Sequence, residues 1–155
     1  MHTDGWLLRA ATRRPDTTAL VTDDGALTYA QLDRAAADTA RRLHGLGVRA
    51  GDRVALALPP GRPFVETFWG ILRLGAVVVP VDGRLGKGER AAQTVGARLV
   101  VDAPPAGDGD PATPLVATQD LDDVAVVVHT SGTTSAPRPV PLTYGNWLWS
   151  AIGSA

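Results

Sequence analysis

An α/β fold with a largely parallel sheet and flanking helices is the architecture that this 155-residue sequence predicts. Three observations carry it. Strand-like apolar runs alternate with helical patterns at least three times along the chain. The runs "AVVVPVD" (76–82) and "VAVVV" (124–128) are continuous in their apolarity, as strands buried on both faces are. Glycine or proline stands where one pattern gives way to the next.

The elements follow in order. Ala19 to Thr22 is a short apolar stretch, and "DDG" after it is a turn signal. Thr28 and Gln31 have capping-box spacing and open a long helix. In it Leu32, Ala35, Ala36, Thr39, Ala40 and Leu43 repeat at helical spacing, with Arg34, Asp38, Arg41 and Arg42 on the other face. Gly45 and Gly47 end it. A strand from Val54 to Leu58 breaks at Pro59 and Pro60, and Pro63 is placed as a first-turn proline for a second helix stopped by Gly75. The strand 76–82 comes next, then a weaker helix from about Gly88 to Val95 and a strand from Arg98 to Val101. Residues 102–114, "DAPPAGDGDPATP", are rich in Pro, Gly and Asp and carry no positive charge, which predicts a solvated surface loop. A last strand from Val124 to about His129 leads into a final helix around "WLWSAIGSA".

The length suits one folding unit, residues 1–155, with a core of ordinary size. Hydrophobic residues make up 45% and charged residues 20%, which points away from disorder and fibrous classes. A formal net charge of −1 supplies no basic field, so nucleic acid is not an expected partner. Cysteine is absent, which excludes disulfides and thiolate metal sites and permits a reducing compartment. No apolar run reaches spanning length and the first residues have no signal-peptide core, so a cytoplasmic location without a membrane span is expected. Basic residues are nearly all arginine, Lys87 being the only lysine.

The chemistry concentrates in "VAVVVHTSGTTSAPRPVPLTYGN" (124–146). A buried strand empties into Thr130 to Ser135, beyond its carboxyl end, where ligands collect in open α/β sheets. Backbone N–H groups of a glycine-containing turn form an anion receptor, hydroxyls add adaptable donors, and one nearby cation completes a polyphosphate cradle. Composition alone allows Ser, Thr and Gly to make a plain loop instead. The Walker spacing is absent here. It is also absent from "GRLGKGER" (83–90), where Lys87 reads as a solvated loop cation. His129, after a buried strand, reads as structural rather than as a base, and His2 and His44 have no partners that the sequence reveals. Asp122 and Asp123 read as a solvated turn rather than a metal pair. Trp147 and Trp149 sit so that at least one packs.

These residues carry a resemblance. "HTSGTTSAPRPV" is similar to the phosphate-binding signature T-S-G-T-T-G-x-P-K-G-V of the acyl-adenylate-forming superfamily, and "LTYAQLD", "GDRVALALP", "FWGILRLGAVVVPVD" and "LDDVAVVVHTSGTT" resemble its opening segments in order. The resemblance runs from about Trp6 to Ala155, and "LTYGNWLWSAIGSA" with "WLLRAATRRPDTTAL" is most similar to the o-succinylbenzoate–CoA ligases. It implies the first part of the large amino-terminal domain of that fold and an ATP-dependent acid–CoA ligase. Such an enzyme activates a small-molecule carboxylate as acyl-AMP with MgATP and passes it to CoA. It implies ATP, Mg2+ and CoA as cofactors of a longer parent protein, not tightly bound to this chain. Thr130, Ser131, Gly132, Thr133, Thr134 and Arg138 are the implied phosphate-binding residues, and no residue is assigned to catalysis or to a metal.

Three positions depart from the signature: Ser135 and Pro139 stand where it has glycine, and Arg138 where it has lysine. They alter the accessible φ, the N–H count and the shape of the cation. The superfamily's later motifs, including its carboxy-terminal lysine, do not occur in the sequence. The chain is therefore expected to be the first portion of a longer ligase and inactive by itself. The alternatives are an amino-acid or fatty-acid adenylating enzyme, or a non-catalytic homologue acting as a scaffold. An incomplete sheet leaves apolar faces uncovered, which makes self-association an expectation.

Overall fold

The computed structural model describes residues 1–130 and 138–153. A short strand, β1 (His2–Asp4), precedes helix α1 (Trp6–Arg13), and β2 (Thr18–Thr22) with β3 (Gly25–Thr28) forms an antiparallel hairpin. The long helix α2 (Tyr29–Gly45) starts where the sequence predicts. Gln31 N–H donates to Thr28 Oγ1 and Thr28 N–H donates to Gln31 Oε1, so two donors left over at the helix start are satisfied reciprocally. Then come β4 (Arg53–Leu56), α3 (Arg62–Arg73), β5 (Val77–Pro80), α4 (Lys87–Thr94) and β6 (Leu99–Val101). The chain continues through β7 (Thr118–Asp120), β8 (Val124–Thr130), β9 (Arg138–Thr143) and α5 (Tyr144–Gly153). Pro63 lies in the first turn of α3. Gly75, at φ 69°, takes the left-handed conformation that ends the helix, its N–H donating to Leu72 O.

The main sheet runs β6-β4-β5-β8-β9, parallel except for β9, which lies antiparallel on β8 at one edge. One face packs on α2 and α3: Val54, Leu56, Val78 and Val126 meet Leu43, Ile71 and Leu72 in the main core. Each fully buried Leu or Ile there contributes about 1.5–3 kcal/mol of transfer free energy. The opposite face carries Ala55, Ala57 and Val81 in one cluster and Val77, Val79 and Val127 in another. α4 stands beside this second face without burying any of its own residues, and a cavity of about 250 Å3 separates Ala92 and Gln93 from Val79, Val127 and His129.

Residues 102–114 hold no helix or strand and are mostly exposed. They nevertheless touch the frame: Arg42 Nε donates to Gly107 O, Thr113 is buried, and at Gly109 the backbone runs against Arg41 so closely that a Cβ would not fit. Just after them, Val116 N–H donates to Arg73 O while Arg73 Nη1 donates to Val116 O, which ties this segment to α3. Five of the described elements were not anticipated from the sequence: β1, α1, β3, β7 and β9. β1 and β7 pair across 118 positions of sequence, a contact that no local pattern announces.

Candidate functional site

Parallel strands β4, β5 and β8 end together at their carboxyl edge, and a cleft of about 880 Å3 opens there. Its walls are apolar: Leu58, Pro59 and Pro60 after β4, Phe64 from α3, Pro80 and Val81 at the end of β5, and Val128 of β8. Its polar groups are Asp82, Arg84, Gln93 and His129. Arg84 clasps Asp82 through Nε and Nη2 at 2.8–3.1 Å, and its own N–H also donates to Asp82 Oδ1. The hydrogen bonds from Arg84 hold the exposed Asp82 carboxyl down to about 2. This pair belongs to the stretch following β5, a strand that ends at Pro80, two residues before the strand end expected from the sequence at Asp82.

Of the six expected phosphate-binding residues, Thr130 and Arg138 fall within the described structure. Ser131, Gly132, Thr133 and Thr134, with the departure Ser135, lie outside the described residues. Thr130 ends β8 and Arg138 begins β9, and the two are direct cross-strand partners. Both are exposed. Partners directly opposite share a sheet face, and alternation puts that face in line with Val128, which forms a wall of the cleft. A hydroxyl and a guanidinium thus stand together at the ligand-collecting edge of the sheet, next to an apolar cleft. That arrangement can accept a polyphosphate: an acceptor-rich anion, a cation with a planar fork of donors, and a hydroxyl that orients as needed.

His129 faces the side away from Thr130, where it lines both the cleft and the cavity under α4, and its Nδ1 is buried without a hydrogen-bond partner among the described residues. Asp122 and Asp123 are exposed in the turn before β8. Asp123 O accepts from Tyr144 N–H. Lys87 is exposed, as the sequence indicates, but as the first residue of α4 rather than in a loop. Among the described residues no group of three or more His, Cys, Asp or Glu side chains is arranged to hold a metal ion.

α5 fixes the far end of β9. Asn146 N–H donates to Thr143 Oγ1 while Thr143 N–H donates to Asn146 Oδ1, a second reciprocal cap, with asparagine in place of the usual Glu or Gln. Trp147 lies parallel to Phe68 at 5.5 Å and stacks on Trp6 at 6.1 Å, and Trp6 meets Tyr144 edge-on. Phe68 in turn stacks on Phe64 of the cleft wall. Trp147 is therefore the packed member of its pair, whereas Trp149 is 72% exposed.

A mostly parallel sheet between helices, with a cleft at its carboxyl edge, defines an α/β protein, and the chain belongs to the AMP-binding enzyme family, whose model matches residues 7–104. The resemblance to the acyl-adenylate-forming enzymes is thereby established. Among particular proteins, the chain is 36% identical over 168 residues to a feruloyl-CoA synthase of Amycolatopsis sp., covering 95% of this chain and 34% of that protein. It is 39% identical over 169 residues to the 2-succinylbenzoate–CoA ligase of Geobacillus kaustophilus, covering 97% and 34%. In three dimensions it matches o-succinylbenzoate coenzyme A synthetase of Bacillus subtilis in complex with AMP, with a TM-score of 0.94 at 27% identity over 100% of this chain and 46% of that one. The same enzyme in complex with ATP and magnesium ion gives 0.91 at 26% identity, over 100% and 47%. The chain spans about a third of the length of the curated relatives it matches. No helix among the described residues is long and apolar enough to cross a membrane.

Proposed function

We propose that residues 1–155 serve as the amino-terminal α/β subdomain of an ATP-dependent acid–CoA ligase, and that they hold the polyphosphate of MgATP while a carboxylate is adenylated. The observation that carries this is the cross-strand pair Thr130–Arg138 beside the cleft at the carboxyl edge of the sheet. In the reaction a carboxylate oxygen attacks the α-phosphorus, the bond to the β-phosphate oxygen breaks, and pyrophosphate leaves with its charge. What this chain's residues supply is position and charge compensation. Arg138 spreads positive charge over two oxygens, and the Thr130 hydroxyl donates to a third. Ser131, Gly132, Thr133 and Thr134 are part of the same proposal through the signature they match.

Thr130 and Arg138 would hold the polyphosphate, and Mg2+, implied together with ATP, would offset part of its charge. CoA follows as the acceptor of the acyl group, and the cytoplasm as the compartment that supplies both. For the acid we propose o-succinylbenzoate, as in the Geobacillus and Bacillus enzymes. The feruloyl-CoA synthase relative supports a second reading, a different aromatic carboxylate. ATP–pyrophosphate exchange by the intact protein isolated from its own cells decides between them. Exchange driven by o-succinylbenzoate and not by ferulate, a fatty acid or an amino acid supports the first, and exchange driven by none of the four overturns the ligase reading. The 155-residue chain alone is expected to give no exchange. Its phosphate site is tested separately: inorganic tripolyphosphate should shift the amide resonances of Thr130 and Arg138, and shifts confined to other residues would sink the assignment.

A further inference from the structure

The strand that carries Arg138 is unusual in composition. Its first four residues, Arg138-Pro139-Val140-Pro141, place proline at every second position. Pro139 and Pro141 lie in β9 opposite His129 and Val127, while Arg138, Val140 and Leu142 lie opposite Thr130, Val128 and Val126. Proline has no N–H to give, so the residues able to donate to β8 are Arg138, Val140 and Leu142. Both prolines then turn their nitrogens outward, to the sheet edge where β9 has no further neighbour among the described residues. Each proline also fixes its own φ and confines the residue before it to the extended region, and for Pro139 that residue is Arg138. The cation of the site is thus set in a strand whose backbone is stiffened in sequence and tied to Thr130 in space.

We propose that Pro139 and Pro141 are positioning residues, which mount Arg138 on a stiff edge strand so that its guanidinium is already aimed at an oxyanion held at the Thr130 end of β8. The proposal rests on the polyphosphate reading above and extends it. The two changes from the signature, lysine to arginine and glycine to proline, form one device. A planar fork binds two oxygens well only when its base is fixed, and a fixed base loses less freedom on binding. The prolines themselves touch no ligand.

The test uses the 155-residue chain with inorganic tripolyphosphate as probe, followed by proton–nitrogen correlation NMR. Pro139→Gly should weaken binding about two- to fivefold, the range that the entropy of one released backbone position supplies, and the Pro139→Gly/Pro141→Gly double variant more. The control Pro111→Gly, in the 102–114 segment, should leave the affinity unchanged. In the same samples the heteronuclear NOE at the Arg138 amide should fall in Pro139→Gly while that of Val126 stays fixed, a readout that a general loss of stability would not produce. Unchanged affinity and an unchanged Arg138 NOE would overturn the positioning role. Absence of probe binding by the unaltered chain would overturn the polyphosphate reading, and the Arg138 NOE would still decide whether the prolines stiffen the strand.

Discussion

At the scale of single residues, charge and burial make two measurable statements. The Asp82 carboxyl is held down to about 2 by Arg84, and the linkage has a definite sign. A carboxyl depressed on folding favours the folded state above its unfolded value near 4, and that contribution disappears as the pH falls toward 2. The Asp82 carboxyl carbon should therefore titrate near pH 2 by NMR, and Arg84→Ala should return it to the usual range. An unmoved midpoint in that variant would contradict the assigned cause. Tyr144 goes the other way: burial, and then the Asp123 carboxylate, push its phenol above the ordinary tyrosine value. Its stabilising effect is complete below about pH 10 and is lost as alkali ionises the unfolded form. Absorbance at the phenolate band should show Tyr144 ionising together with unfolding, and early, reversible titration in the folded state would refute this.

Between elements, α2 and α3 approach each other closely at Gly70. A Cβ on Gly70 would stand 3.1 Å from Ala36 O, Ala40 N and Thr39 Cβ, two of them backbone atoms that cannot step aside. Gly70→Ala should cost about 1–3 kcal/mol through overpacking, although alanine is the better helix former, and urea denaturation measures it. Thr28→Ala removes the acceptor for Gln31 N–H and should cost about 1 kcal/mol. α2 was legible in sequence because of that cap and the repeat from Leu32 to Leu43. β9 was hidden by its prolines, which read as breakers and are tolerated because the strand is an edge. α1 has neither a side-chain cap nor acidic residues in its first turn. The candidate site was legible to the same extent as its elements. Thr130 follows from the strand before it, but its position opposite Arg138 needs the unseen strand after it.

Over the whole molecule, the aromatic chain Phe64–Phe68–Trp147–Trp6–Tyr144 joins α3, α5 and α1. Trp147→Ala should therefore loosen α5 and lower stability by about 3 kcal/mol, with loss of near-ultraviolet circular dichroism. On the outer side of α5, Trp149 and Ile152 are 72% and 58% exposed, so light scattering should detect concentration-dependent association that Trp149→Ser reduces. The two strands of the candidate site begin and end at one place: Val124 is the partner of Thr143, Tyr144 N–H reaches Asp123 O at 3.0 Å, and Gly145 N–H reaches Leu121 O at 2.8 Å. Entry and exit of the segment 124–143 are thus fastened to each other at the end of the sheet remote from Thr130 and Arg138. Substitution at Arg138 or Pro139 therefore leaves untouched the three contacts that close the base of the segment, so its tip and its anchorage answer to separate changes.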